Sequence, residues 1–494
     1  MTNSLHFWVA VGWLWLATSL ASAQALKDPA LMVTEVVAGL NAPTTMAFIG
    51  PDDILVLQKN DGQVRRVIGG VLQPTPVLDV GVNRLSERGL LGMALHPMFQ
   101  STAWVYLYYT ESSTGDDTQG SSESLGNRLY RYRWDGNALV EPQLILDLPV
   151  TSGPNHDGGV LTFGPDGKLY AVIGDLNRRG QLQNMPAGPG PDDTSVIIRL
   201  NDDGTTPSDN PFFSFGGNWA KYYAYGIRNS FGLAFDPVTQ KLWMTENGPD
   251  TYDEINLVDP GFNSGWVQIM GPEARSPQGS DSLFQLPGSH YADPKFSWFD
   301  TVAPTALVFL NSTQLGAQYA NDVFVGDVNA GTLYHFKPTS ARDGFHLATA
   351  ALAEDLVADP GDDLQEVIFG TGFGGNFAGI TDLKVGPDGR LYVLSIQGRI
   401  FAVSQKPATL HGTVGDQTTG AALEAVSVAA WHVDPAPVAR VNTSTDAAGL
   451  YALSGLRPGR YWVFFAHGGY WRRVRILELP PGEVTPLDVQ LAPR

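Results

Sequence analysis

The chain repeats one short pattern six times: an apolar strand, a turn built on Pro-Asp-Gly or a relative of it, and a second apolar strand, often with a third after another glycine turn. The copies open at Met46, Met93, Leu161, Leu233, Leu307 and Leu383, the clearest being LTFGPDGKLYAVIGD from Leu161 and LKVGPDGRLYVLSIQGRIFAV from Leu383. Apolar runs around such turns are hairpin signals, and helical periodicity is nearly absent, so the repeats read as sheets. Their spacing is irregular, roughly 45 to 75 residues, which suits a β-propeller with long inter-strand loops better than a solenoid. The expectation is an all-β chain with a six-bladed β-propeller over residues 30–404. In such a disc each blade sends loops to the same end of a central channel, where residues far apart in sequence converge.

After Ser404 the pattern changes to short strands joined by Gly and Pro turns, with alternation clear in Tyr451-Ala452-Leu453 and Tyr461-Trp462-Val463-Phe464. Residues 406–494 are expected to fold by themselves as a small β-sandwich. The strings TG-x-x-L-x-x-V-x-V from Thr419 and D-x-x-G-x-Y-x-L-x-x-L-x-P-G-x-Y from Asp446 resemble the carboxypeptidase regulatory-like or CnaB-like domains. They speak to fold and not to catalysis, and leave a spacer or a carbohydrate-contact role open.

At the other end, HFWVAVGWLWLATSL runs into Ala21-Ser22-Ala23, an apolar stretch closing on a small-x-small cleavage pattern. Residues 1–23 are expected to be a signal peptide; a retained anchor is the other reading, because the run is near the short limit for spanning a bilayer. No later segment is apolar for long enough, so no membrane span remains after cleavage. Fifty acidic against 31 basic residues give a formal charge of −19, which repels phosphate backbones and argues against nucleic acid. The chain has no cysteine, which excludes disulfides, thiolate metal sites and cysteine nucleophiles. An exported chain without disulfides points to a periplasmic or secreted protein of a bacterial kind.

Three stretches offer chemistry. Asn155-His156-Asp157-Gly158-Gly159 sets a histidine in a Gly-rich loop that opens a strand. A neutral imidazole there could accept the proton of a sugar or alcohol hydroxyl while hydride leaves the same carbon; a structural histidine on a backbone carbonyl is the other reading. Asp157 could orient that ring or contact ligand, or merely stabilise the turn. In GIRNSFGLAFDP, Arg228 offers a fixed planar cation for quinone or carboxylate oxygens, and Asn229 could position the same ligand. A salt bridge and a turn are their alternatives. His156 and the Arg228–Asn229 pair occupy corresponding places before the first strands of their repeats, hence the same face. The stretch from Glu246 to Asn256, with Asp253 and Glu254, can supply the six to eight oxygens calcium wants, or be surface. There is no EF-hand spacing, HExxH pattern, nucleotide-binding GxGxxG or GxSxG elbow.

Taken in order, ERGLLGMALHPMF (Glu87 to Phe99), NHDGGVLTFGPDGKLYAVIGD, GIRNSFGLAFDP and ENGPDTYDEINLVDPGFNSGW resemble the soluble quinoprotein glucose/sorbosone dehydrogenases. That family consists of six-bladed propellers that use pyrroloquinoline quinone and calcium. The resemblance implies an oxidoreductase that converts the anomeric hydroxyl of an aldose to a lactone, with an external electron acceptor. It implies His156 as base and Arg228, Asn229 and Glu87 around the quinone, Glu87 standing where many members have Gln; Asp157, beside His156, is counted with them as a candidate cofactor contact. It also implies the carbonyls of Gly248 and Pro249 as ligands of a cofactor-bridging calcium, and Glu254 with the Ser264 carbonyl as ligands of a second, structural one. A homodimer stays open.

The chain departs from the family at three cations. Val328-Asn329-Ala330-Gly331 stands where members have a Leu-Lys-x-Gly turn, and Gly379-Ile380-Thr381-Asp382 where they have Arg-x-Arg-Asp. Those cations pair with the cofactor's carboxylates in the family. Arg178, Arg179 and Lys221 are the candidates to compensate, and the double change Gly379→Arg with Thr381→Arg is expected to tighten quinone binding. The alternative function is a non-catalytic, calcium-binding propeller that recognises a glycan or protein partner; a propeller lactonase is a third.

Overall fold

The structure, a computed structural model, describes residues 24–374, 379–433 and 440–494. The expected signal peptide, residues 1–23, lies outside the described residues. The described residues from 24 to 405 form six sheets, and the inner strands of these, called first strands below, are Pro43–Gly50, Leu90–Leu95, Leu161–Phe163, Gly232–Phe235, Pro304–Phe309 and Ile380–Val385. Each of the six sequence repeats begins in or just before one of these strands. The G-P-D-G strings make the same turn in the third and sixth sheets: Gly164 N–H donates to the Lys168 carbonyl at 2.9 Å and Gly386 N–H to the Arg390 carbonyl at 2.9 Å. In both, the aspartate accepts from the backbone N–H two residues on, at 3.0 Å, the Asx geometry that makes Asp a turn residue.

Each first strand touches the first strands of two other sheets, and the contacts run in chain order from sheet one to sheet six and back to sheet one. Buried side chains follow the same cycle. Along Asp53–Gln58, Ile54 and Val56 pack against Leu394 and Ile400 of the sixth sheet, while Leu55 and Leu57 pack against Leu90 and Val105 of the second. Every neighbouring pair of sheets shares such an apolar layer. Period-two alternation therefore buries both faces of each sheet, and the strands read as near-continuous apolar runs. The sixth sheet takes its outer strand from the start of the chain, Leu31–Val37 pairing antiparallel with Arg399–Gln405.

Beyond residue 405 lie two more sheets. One holds Leu450–Leu456, Ala408–Asp416, Val484–Pro486 and Val489–Leu491; the other holds Arg440–Ser444, Ser427–His432, Gly459–Ala466 and Arg473–Leu479. They face each other across a core of Leu410, Val414, Val428, Val463 and Phe465 that contains no residue before Ala408. Among the described residues no helix is long and apolar enough to cross a membrane.

Candidate active site

The first strands surround a cavity of 420 Å³, within the range of small-molecule sites. Each of the six sheets contributes to its wall; Lys59, Glu87, Gly158, Asn247, Asn329 and Thr381 are one residue from each. These residues sit at or beside strand ends on the face expected for His156 and Arg228.

His156 occupies the left-handed region at φ 65° and is 8% exposed. Its backbone N–H donates to Glu87 Oε2 at 2.7 Å, and its ring Nδ1 lies 2.6 Å from Asp175 Oδ1. Asp175 lies two residues past the returning strand Leu169–Ile173 of the same hairpin and also accepts from Asn177 N–H at 2.7 Å and from Trp266 Nε1 at 2.7 Å. Burial works against its charge, yet His156 and the hydrogen bonds of Asn177 and Trp266 hold it below the ordinary carboxylate range. An ionised Asp175 accepts only, so Nδ1 carries the proton and Nε2 is left as the acceptor. Nε2 makes no hydrogen bond among the described residues.

Asp157 does not orient this ring. Its fully buried carboxylate accepts from Asn127 Nδ2 at 2.9 Å and lies 3.9 Å from Arg88 Nε, and burial pushes its pKa up to about 7. The orienting carboxylate is Asp175, eighteen residues further on.

Arg228 and Asn229 are clamped between sheets: the Arg228 carbonyl accepts from Asp175 N–H at 2.9 Å, and the Asn229 carbonyl from Asn247 N–H at 2.8 Å. The approach of His156 to Arg228 depends on Gly174, where a Cβ would come within 2.4 Å of the Arg228 carbonyl oxygen and 2.5 Å of that of His156. The Arg228 guanidinium donates to the Asn247 carbonyl at 2.9 Å and lies 5.3 Å from the Trp266 ring centre. No carboxylate among the described residues comes within ion-pair distance of it, which removes the salt-bridge reading. Asn229 Nδ2 donates to Glu87 Oε2 at 2.9 Å, so one carboxylate joins the His156 loop to Asn229.

Below Arg228 lies an acidic pair. Glu246 and Glu254 stand directly opposite each other on adjacent antiparallel strands, both buried. Their partners are neutral: Arg228 N–H and the Ser264 hydroxyl on Glu246, Asn256 Nδ2 at 2.9 Å and Gly271 N–H at 2.5 Å on Glu254. Burial raises the pKa of Glu246 to about 7, and burial together with the charge of Glu246 drives that of Glu254 well above its usual range. Asp253 fixes the neighbouring loop by accepting from Gly248 N–H at 2.8 Å and from Val302 and Ala303 N–H at 2.6 and 2.7 Å. Pro249 is exposed beside it. Among the described residues no group of three or more His, Asp or Glu side chains is gathered as a metal site.

Of the compensating cations, Arg178 is paired with Asp192 and Lys221 with Asp193 at 2.8 Å. Arg179 stays nearby, 3.3 Å from Asp175 and 5.4 Å from the Trp266 ring centre. At the family's cation positions, Asn329 and Thr381 line the cavity, but Gly379 is closed in: a Cβ there would lie 2.6 Å from the Asp327 carbonyl oxygen and 2.7 Å from Gly331 N. Arginine at 379 therefore requires the backbone to move, which corrects the expectation for the double change.

Residues 40–402 match the family described as glucose/sorbosone dehydrogenase. The chain belongs to that family. Residues 409–492 match the carboxypeptidase regulatory-like domain. Relatives of this family member include the aldose sugar dehydrogenase of Escherichia coli, 27% identical over 403 residues that span 80% of this chain and 95% of its own. Quinoprotein glucose dehydrogenase B of Acinetobacter calcoaceticus is 34% identical over 259 residues, 48% of this chain and 52% of its own. The PQQ-bound form of an aldose sugar dehydrogenase from Streptomyces coelicolor matches with a TM-score of 0.56 at 26% identity, over 76% of this chain and 99% of its own.

The site residues of this glucose/sorbosone dehydrogenase homologue fit a bound quinone and a cation. Arg228 Nε, Asn229 Oδ1 and Asn247 Oδ1 are buried without a hydrogen-bond partner among the described residues, the kind of atoms a polar ligand would satisfy, and of the three side chains Asn247 lines the cavity. Glu246 and Glu254 face each other with only neutral partners, and a divalent ion there would offset the burial and mutual repulsion that disfavour ionising both.

The sequence reading missed Asp175, Trp266, Asn247 and Lys59 as site residues. Asp175 and Trp266 lie inside strings that drew attention, and the signal for Asp175 is its place at the end of the hairpin that His156 opens.

Proposed function

We propose that the protein is a periplasmic or secreted oxidoreductase that takes the anomeric hydroxyl of an aldose to the lactone, with calcium, pyrroloquinoline quinone and an external electron acceptor. The proposed architecture is a six-bladed propeller, residues 30–404, followed by a β-sandwich, residues 406–494, after removal of residues 1–23. The cyclic contacts of the six first strands and the separate core beyond Ala408 support it.

The observation that carries the functional reading is the His156–Asp175 pair beside an arginine that has no ion-pair partner among the described residues. Asp175 holds the ring and its tautomer, so His156 Nε2 takes the proton of the sugar hydroxyl, and the imidazolium that forms is stabilised by the same carboxylate. Arg228, with Asn229 and Asn247, would hold the quinone and offer a fixed positive charge where negative charge develops. When bound, the quinone supplies the two-electron acceptor for the hydride that leaves the anomeric carbon. Glu87 positions two of these groups from one carboxylate. The Gly248 and Pro249 carbonyls would hold one calcium, whose positive charge would polarise the bound quinone, and Glu254 with the Ser264 carbonyl would hold a structural one, with Glu246 opposite Glu254.

The test is to titrate purified apoprotein with quinone in the presence of calcium, following visible absorbance, and then to measure dye reduction on a panel of aldoses. A stoichiometric spectral change with sugar-dependent dye reduction supports the reading. No quinone binding moves the function to the non-catalytic, calcium-binding propeller, which the loss of the family's cations at 329, 379 and 381 would then explain.

A further inference from the structure

The wall of the central cavity contains two cationic side chains among the described residues, Lys59 and Lys384. Lys384 is neutralised by Asp382 at 2.8 Å. Among the described residues Lys59 has no carboxylate within ion-pair distance: Nζ donates to the Ser86 carbonyl at 2.7 Å and to Asn60 Oδ1 at 3.3 Å, which leaves a third proton for another acceptor. The nearest acidic side chain in the wall, Glu87, already accepts from His156 and Asn229.

The position of Lys59 is built and not incidental. It follows the strand Asp53–Gln58, its N–H donates to the Ala42 carbonyl at 3.1 Å, and its carbonyl accepts from Leu90 N–H at 3.0 Å, so the backbone is pinned between the first and second sheets. The carbonyl of the next residue, Pro43, accepts from the Thr381 hydroxyl at 2.9 Å. Lys59 and Thr381 thus hang from adjacent peptide units across the junction of the first and sixth sheets, and Thr381 stands where the family has one of its missing arginines.

We propose that Lys59 is the anion anchor of this cavity, its ammonium receiving a carboxylate of the bound quinone one sheet away from the positions the family uses. The inference rests on the quinone reading above. Burial lowers the pKa of Lys59 to about 8, with Glu87 and Asp157 opposing that shift and Arg84 adding to it. An anion at the ammonium would hold the proton on.

The experiment measures the calcium-supported affinity of pyrroloquinoline quinone and of its uncharged trimethyl ester, by calorimetry, for the wild type, Lys59→Met and Lys59→Arg. Methionine keeps the stem that packs against Gly89 and removes the charge; arginine keeps the charge. Lys59→Met should weaken the acid about 10- to 100-fold, leave the ester within about threefold, and be rescued by Lys59→Arg, as expected for a charge-assisted contact. In the wild type the affinity for the acid should also fall above pH 8, and in Lys59→Arg it should not. Unchanged affinity for the acid in Lys59→Met overturns the inference while sparing the quinone reading. Equal weakening of acid and ester makes Lys59 only a tether for the Ser86 loop and overturns it too. A wild type that binds neither compound ends the quinone reading and this inference with it.

Discussion

Asp175 and His156 are held together closely: a buried carboxylate lies 2.6 Å from ring Nδ1 and is itself braced by Trp266. The pair makes His156 the expected base. His156→Ala should lower dye-linked sugar oxidation about 100- to 10,000-fold with the circular dichroism spectrum and quinone affinity preserved. More than a tenth of wild-type turnover in that variant rules the base assignment out.

Asp175→Asn separates orientation from acceptance of the proton. An amide can present the wrong group to Nδ1 and cannot stabilise an imidazolium, so turnover should fall about 100-fold or more while quinone affinity changes little. If kcat is kept and only the melting temperature drops, Asp175 is structural.

Arg228→Lys keeps the charge and loses the planar fork. With its guanidinium set between the Asn247 carbonyl and Trp266, the shorter reach of lysine should cost about 100-fold in kcat/KM. Wild-type kinetics in Arg228→Lys would show that a simple cation suffices.

The Glu246–Glu254 pair predicts how calcium and pH interact. In chelated protein both carboxyls have folded-state pKa values above their unfolded ones, so their protonated forms stabilise the fold at low pH. That contribution is lost as pH rises from the usual carboxylate range through about 7 for Glu246. The melting temperature of the chelated protein should therefore fall between about pH 5 and 8, and the rise on adding calcium should grow over the same window. A calcium shift that is absent or independent of pH removes the metal from this pair.

Thr381→Arg should tighten quinone binding about tenfold, less any cost of its lost bond to the Pro43 carbonyl. Gly379→Arg should instead lower the melting temperature, because its side chain begins inside the Asp327–Gly331 turn. Calorimetry and thermal melts on the two single variants distinguish these outcomes.

The six repeats were legible because each strand pair carries its own turn chemistry, as in Gly164–Lys168 and Gly386–Arg390. His156 and Arg228 were legible as residues out of keeping with the apolar strands that follow them. The identity of the orienting carboxylate was not, since Asp157 and Asp175 are equally acidic in sequence and only the register of the hairpin decides which reaches Nδ1. Gly379 could not be told from a loop glycine without the carbonyl that crowds it. Lys59 was silent because its significance is an ammonium in the cavity wall without an ion pair among the described residues, a property of six converging sheets and not of its neighbours in the chain.

The strand Leu31–Val37 completes the sheet that ends at Gln405, and this has a consequence for biogenesis. Leu31–Val37 is synthesised first and has no partner until Arg399–Gln405 emerges, and without it the strand Arg399–Gln405 keeps an open edge. Such long-range pairing is slow to form, and a chain interrupted anywhere between the two strands offers a bare edge to other chains. Loss of the first dozen residues after Gln24 should thus damage the protein far more than a larger deletion beyond Lys406, turning a small terminal nick into an aggregation hazard.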